Sequence, residues 1–346
     1  MPEGPILHPE PSQKKPRVSV VCAWFNRADV LQETVNALLE QNHDSFEVVV
    51  VNDGSTDPRV RDLLDGYSDP RLIAIHQENG GFVKAIKAAI KASSGSYIAI
   101  QGAGDVSLQG RLTKQSDLLD MHPAVGIVGC MRAEVVYGGT EHGASAVSPT
   151  PTRQPMLDDL LYRSNPFSHG EVMFRRAIYD QVGGYRDFFK FAQDRDLWIR
   201  MAPFCEMRVI AEVLYERRAF VADGIASNHG KLALQQAFSN FARQCHFDRI
   251  ANGRDFIELY GVYGGLFRRP SASYARSLAK MSIQSYYSGN TEKGQTFARW
   301  ALSEKATGTT IATSLASWVL SRSTVILSLF RTLLSKHPKS AIWPRS

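Results

Sequence analysis

YIAIQGAGDVSLQGRL, residues 97–112, is the stretch whose reading decides the fold. Its apolar run, 97–100, breaks into Gln101-Gly102-Ala103-Gly104 and stops at one acid, Asp105. A short apolar run between turn residues is the pattern of a strand buried on both faces of a sheet. Gly102 and Gly104 permit a tight turn and the close approach of a ligand. Open α/β sheets bind ligands in the crevice beyond the carboxyl ends of their strands, and Asp105 is expected there. A carboxylate at that place suits a hard divalent cation and, through it, a diphosphate. The plain alternative is a solvated Asp at an ordinary strand-to-loop turn.

Outward from this strand, the chain alternates strand and helix. Upstream lie RVSVVCAWF (17–25), a helix with apolar residues at Val30, Leu31, Val35, Leu38 and Leu39, and the strand FEVVVVND ending at Asp53. A helix over 59–67, a strand over 71–77 and a helix over 82–92 opened by Asn79-Gly80-Gly81 complete the approach. Strands and helices alternating every ~25 residues imply βαβ units, right-handed crossovers and a parallel sheet. No G-x-G-x-x-G follows either early strand, which argues against a dinucleotide-binding oxidoreductase. Downstream come a helix over 114–121, the strand AVGIVGCM, a Gly/Ser/Thr/Pro-rich loop over 137–155 and a short helix over 157–163. NPFSHGEVMFRR reads as a turn and strand, AIYDQVGGYRDFF as a helix, QDRDLWIRMA as another, and EMRVIAEVLYERR as a closing strand. Beyond residue 230 the chain reads as helical.

Composition bounds the function. The 346 residues are 44% hydrophobic and 21% charged, with a formal net charge of +6. This is an ordinary globular composition with room for one large domain and an appendage. The mild basic excess fits an anionic substrate or an acidic membrane surface and does not argue for nucleic acid. Four cysteines without C-x-x-C spacing, Cys22, Cys130, Cys205 and Cys245, read as reduced, buried thiols of a cytoplasmic protein. The Pro-rich segment 1–16 reads as a disordered lead-in and lacks the apolar run of a signal peptide.

Five segments in order, VSVVCAWFNR, VVVVNDGSTD, ENGGFVKAIKAAIKASSGSYIAI, NPFSHGEVMFRR with VGGYR, and AQDRDLWIRMA, resemble the family 2 glycosyltransferases. The resemblance covers about residues 17–230. It implies a GT-A fold, a Rossmann-like, mainly parallel sheet flanked by helices, here with a helical C-terminal extension over 231–346. It also implies an inverting enzyme that uses a nucleotide-diphosphate sugar, a Mg2+ or Mn2+ ion, and a glycan or lipid-linked acceptor in cell-surface polysaccharide or glycan assembly.

Carried onto this sequence, the resemblance puts donor-nucleotide contacts at Ala23, Phe25, Arg27, Asp53, Gly104 and Asp105. Asp53 would accept a hydrogen bond from a nucleobase imide, or simply cap its own turn. The Phe25 ring would lie against the base, or in the core. Asp105 corresponds to the last acid of the family's Asp-x-Asp-Asp strand end and would hold the metal, with His229 as a second candidate ligand; Gly102 and Gly104 stand where the family has acids. Asp194 matches the catalytic base, with Gln193 in place of a Glu before it and His169 on the acceptor side. As a base, Asp194 would take the acceptor's proton; its plain alternative is an acid at a helix N-terminus. Asp196 is expected to pair with Arg200.

Residues 309–336 carry apolar residues at helical spacing beside Arg322 and Arg331, which suits an amphipathic helix on the inner membrane leaflet or one packed on protein, including a second copy of the chain. Two other classes fit part of the pattern: a non-catalytic nucleotide- or glycan-binding relative, supported by Gly102 and Gly104, and a sugar-nucleotide nucleotidyltransferase, opposed by the absence of a Gly-rich loop after the first strand.

Overall fold

The computed structural model of the chain describes residues 16–138, 143–220 and 229–335. The expected lead-in therefore lies outside the described residues, residue 16 excepted. Four parallel strands form one half of the sheet: β1 (Val18–Trp24), β2 (Phe46–Asp53), β3 (Leu72–Gln77) and β4 (Tyr97–Gln101), in the order β3-β2-β1-β4. Their register brings the carboxyl ends to a common rim. Trp24 lies opposite Asn52, Cys22 opposite Gln101, and Asp53 opposite Gln77.

The apolar runs are explained by cover on both faces. Val20, Val48 and Val50 point into a core with α1 (Leu31–Leu39), α2 (Arg59–Asp65) and α4 (Arg111–Met121). Val21, Val49, Ile98 and Ile100 point the other way, into a core with α3 (Phe82–Ala92). Val83, Ile86 and Ile90 give α3 its apolar stripe, at the spacing that one face of a helix requires.

The second half of the sheet is built differently. β5 (Val106–Ser107), β6 (Val125–Tyr137), β7 (Gly143–Val147), β8 (Met173–Arg175) and β9 (Glu206–Phe220) extend it in the order β4-β8-β6-β9-β5, with β7 on β6. β8 runs antiparallel to both β4 and β6, and β6 runs parallel to β9. The loop expected over 137–155 is corrected in part. Glu134 to Val136 pair with Gly143 to Ala146 across a register shift, so backbone pairing overrides a Gly/Ser-rich composition. Between these strands lie α5 (Leu157–Tyr162), α6 (Arg176–Gln181) and α7 (Gln193–Met201).

Helices follow: α8 (His229–Asn252), α9 (Phe256–Tyr260), α10 (Ala272–Tyr287), α11 (Thr291–Glu304), α12 (Gly308–Leu320) and α13 (Thr324–Ser335). Phe241, Ala242 and Cys245 of α8 join the core behind α3 and α7. The segment 309–336 is two helices broken at 321–323, not one, and no described helix is long and apolar enough to cross a membrane.

Candidate active site

The rim of the parallel strands carries the first part of the site. After β1 the chain takes left-handed backbone conformations at Asn26 (φ 54°) and Arg27 (φ 59°). Strain of this kind is retained where surrounding contacts over-determine it. Here the Asn26 amide N–H donates to Ser55 Oγ (2.8 Å), and Asn26 Oδ1 accepts from the Thr56 N–H (2.9 Å). The NDGST turn is thereby docked on the exit of β1. Ala23 is half-buried in β1, while Phe25 is 45% exposed at the rim.

Asp53 does something other than present an open oxygen. Its Oδ1 accepts from Gln77 Nε2 (2.7 Å) and the Gly80 N–H (2.8 Å), and its Oδ2 accepts from the Gly81 N–H (2.9 Å). Three protein donors hold this buried carboxylate, which anchors the turn that launches α3. The turn presents Phe82, a second exposed aromatic on the rim that the sequence reading passed over.

Asp105 is likewise turned inward. Its Oδ2 accepts from the Tyr215 hydroxyl (2.7 Å) and its Oδ1 from the Arg218 N–H (2.8 Å), so β9 closes over the end of β4. Burial raises its carboxyl above the ordinary range, against the Arg218 amide, the Tyr215 hydroxyl and the positive fields of Arg217 and Arg27. A Cβ on Gly102 would stand 2.2 Å from Asp105 Oδ2, and one on Gly104 (φ +90°) 2.5 Å from the Phe220 ring. The glycines are therefore required by what fills the space around them. Arg111, fully buried, completes the framework: it donates to the Ile100 carbonyl (2.8 Å), the Gly170 carbonyl (2.9 Å) and Ser107 Oγ (2.7 Å). A lone Arg after a Gly in the sequence gave no sign of this.

These residues do not fit a resident divalent cation. Among the described residues no group of three His, Cys, Asp or Glu side chains is arranged to hold one. Asp105 alone is at hand, already accepting two protein hydrogen bonds amid positive charge. A Mg2+ or Mn2+ site normally assembles several oxygens around the ion. Asp105, expected as a metal ligand, is thus held from within by Tyr215 and the Arg218 N–H. The other expected ligand, His229, opens α8, and its side chain lies outside the described residues.

The residues expected on the acceptor side lie on the turn before β8 and at the start of α7. Ala192 takes a left-handed conformation (φ 50°) and opens α7, whose first residues are Gln193 and Asp194. Asp194 is half-buried, and its Oδ2 accepts from Asn165 Nδ2 (2.8 Å). His169 Nε2 meets the Tyr185 hydroxyl at 2.6 Å, and its ring packs edge-on against Phe82 (5.2 Å). Burial holds the His169 imidazole below its ordinary range, opposed by the charge of Asp194, so the ring is neutral near pH 7. Phe82 thus joins the two sides, with Gly81 on Asp53 behind it and His169 beside Asp194 ahead. Glu171, buried, fixes the same turn by accepting from the Ser168 N–H (2.6 Å).

Asn165 was absent from the sequence reading, because nothing in NPFSHG shows which carboxylate its amide will meet. It orients one oxygen of Asp194. Asn165→Ala is expected to slow turnover about tenfold, an effect of the size of one charge-assisted hydrogen bond. Nucleotide affinity should be unchanged. Comparing single-turnover rates with nucleotide titrations tests this, and a pure loss of nucleotide affinity would assign Asn165 to the donor instead.

Comparison with known proteins agrees with this architecture. Residues 19–183 match the family described as Glycosyl transferase family 2. The chain is 33% identical over 226 residues to the y4gI protein of Sinorhizobium fredii, covering 63% of this chain and 24% of that one. It is 28% identical over 190 residues to EpsE of Bacillus subtilis, which carries a glycosyltransferase name, covering 54% of this chain and 66% of EpsE. It therefore spans from about a quarter to about two thirds of the length of these relatives. Among solved structures, Staphylococcus aureus TarS 1–349 in complex with UDP-GlcNAc superposes with a TM-score of 0.55 at 14% identity, over 88% of this chain and 91% of that one. A Pyrobaculum calidifontis mannosyltransferase in complex with GDP-Man and Mn2+ gives 0.50 at 16% identity, over 96% and 89%. At such identities the likeness is one of fold, and that fold is GT-A.

Proposed function

Because residues 19–183 match the family described as Glycosyl transferase family 2, we propose that the chain belongs to it and moves a sugar, with inversion, from a nucleotide-diphosphate donor to a hydroxyl of a glycan or lipid-linked acceptor. The observation that carries this reading is the half-buried Asp194, with one oxygen held by Asn165, beside His169 and across Phe82 from the strand rim. The acceptor oxygen attacks the anomeric carbon as Asp194 takes the hydroxyl proton. The bond from that carbon to the diphosphate oxygen breaks, and its electron pair leaves with the nucleoside diphosphate. Direct displacement with one base yields inversion, and proton removal by a placed carboxylate is worth about 10²–10⁴-fold. In this reading Phe25 and Phe82 give the base apolar faces, Arg27 meets the diphosphate, and Asp53 and Asp105 hold the two turns that shape the pocket.

Screening a panel of nucleotide sugars for transfer and hydrolysis, with the anomeric configuration of the product read by NMR, tests the proposal. Retention of configuration, or turnover of a sugar phosphate and nucleoside triphosphate instead, would overturn it. The inward-turned Asp53 and Asp105 carboxylates also suit a non-catalytic binder, which would bind nucleotide without turnover.

We also propose peripheral contact with an anionic membrane surface at the cytoplasmic face, where a lipid-linked acceptor would be met. Leu315, Trp318, Val325, Leu329 and Leu333 of α12 and α13 are exposed, and the Arg322 guanidinium lies over the Trp318 ring (4.0 Å). Exposed apolar faces rimmed by basic residues suit an interfacial site. Binding to phosphatidylglycerol vesicles should be lost on truncation after residue 305 and weakened by salt. Vesicle flotation measures both, and a full-length chain that stays with the buffer, or dimerises through these helices, contradicts it.

A further inference from the structure

An arginine is fixed beside the turn that ends β4. Gly104 carries the ring of Phe220 against its Cα, so closely that a Cβ there would stand 2.5 Å from the ring. The Arg27 guanidinium lies over the same ring, 4.0 Å from its centroid, and Arg27 Nη1 donates to the Ala103 carbonyl (2.7 Å). The Gly102-Ala103-Gly104 turn is thus covered by an aromatic ring, and that ring by a fixed positive charge. Three observations converge on this spot. Acids at 102 and 104 are excluded by Asp105 with Tyr215 and by Phe220. Asp105 is engaged from within by β9. The guanidinium is pinned at the ends of β1 and β4, the crevice where ligands of open α/β sheets bind.

We propose that this site binds the donor's diphosphate without a divalent cation, the Arg27 guanidinium, seated on Phe220, supplying the charge. The inference rests on the donor reading above and narrows it. A guanidinium offers several N–H donors in a planar fork matched to phosphate oxygens, and stacking on an aromatic ring fixes its plane. Its positive charge stabilises the growing negative charge on the leaving diphosphate as the carbon–oxygen bond breaks. The electron pair goes to the diphosphate oxygen and no proton is needed from Arg27.

Titration calorimetry of the full-length chain with UDP and GDP, each in Mg2+, in Mn2+ and in EDTA, tests this. The dissociation constant of whichever nucleotide binds should agree within about twofold across the three conditions. Arg27→Gln should weaken it about 10- to 100-fold, the range of a charge-assisted hydrogen bond, and Arg27→Lys should recover part of the loss. Phe220→Leu, which removes the seat and leaves the charge, should fall between. Thermal melts identify a variant that has lost its fold; should Arg27→Gln do so, the three-condition comparison on the unaltered chain and Phe220→Leu decide the matter. Binding at least tenfold tighter in Mg2+ or Mn2+ than in EDTA, or an Arg27→Gln variant that melts normally and binds normally, overturns the proposal. Failure of every nucleotide diphosphate to bind under all three conditions removes the donor reading itself.

Discussion

Asp194→Asn is expected to lower sugar transfer by about 10²–10⁴-fold while nucleotide affinity stays within about threefold. The substitution keeps shape and polarity and removes the ability to accept a proton. Asp194 stands at the first turn of α7, with Oδ2 held by Asn165 and its charge felt by His169 and Tyr185. None of its hydrogen bonds reaches the β1, β2 or β4 rim, which is why binding and chemistry should separate. Single-turnover rates at saturating acceptor, paired with nucleotide titration, measure both quantities. If transfer proceeds at the normal rate, the base lies elsewhere, and His169→Gln becomes the next variant to measure.

Arg186→Ala is expected to destabilise the protein by about 3–5 kcal/mol, the cost of leaving buried charge without its partner. Arg186 donates to both oxygens of Asp196, through Nε (3.0 Å) and Nη2, and through Nη1 to Asp255 (2.7 Å). Asp196 is bound from its other side by Arg200 (2.9 Å), and Asp255 by Arg249. Both carboxylates are buried, so truncating Arg186 strips charge compensation from two groups at once. Asp255 also caps α9, accepting from the Ile257 and Glu258 N–H groups, so the same cluster ties the helical part to α7.

Burial opposes ionisation of Asp196, yet the charges of Arg200 and Arg186 outweigh it and hold its carboxyl below the ordinary range. Its native pKa being lowered, its stabilising contribution is complete above the unfolded value near ~4. That contribution is lost as pH falls through the lower native value. Chemical denaturation of Arg186→Ala against a Lys87→Ala control measures the effect, because the exposed Lys87–Asp187 pair is worth about 0–1 kcal/mol. Equal midpoints for the two variants would contradict the network's role.

Much of this was legible in the chain itself. The apolar strands, the α3 stripe and the order of βαβ units follow from local periodicity and burial on both faces, which act within a few residues. Asp196 with Arg200 is a one-turn helical pair, and spacing alone predicts it. The partners that reach across the fold were hidden. Asp53 on Gly80 and Gly81, Asp105 on Tyr215 and Arg218, Asn165 on Asp194, and Arg27 on Phe220 join residues 27 to 193 positions apart.

The sequence by itself determined a mainly parallel α/β sheet and the likeness of residues 19–183 to family 2 glycosyltransferases, because strand and helix patterns and family motifs are written in consecutive residues. Only the tertiary structure decided which carboxylates face outward. Asp53, Asp105 and Asp194 are alike as strings, each an acid beside a turn or a helix start. The first two are buried and held by donors brought from distant strands and turns, and Asp194 is half-buried with one oxygen on Asn165. A carboxylate's role depends on which hydrogen-bond donors surround it and how deeply it is desolvated, and both are properties of the packed chain.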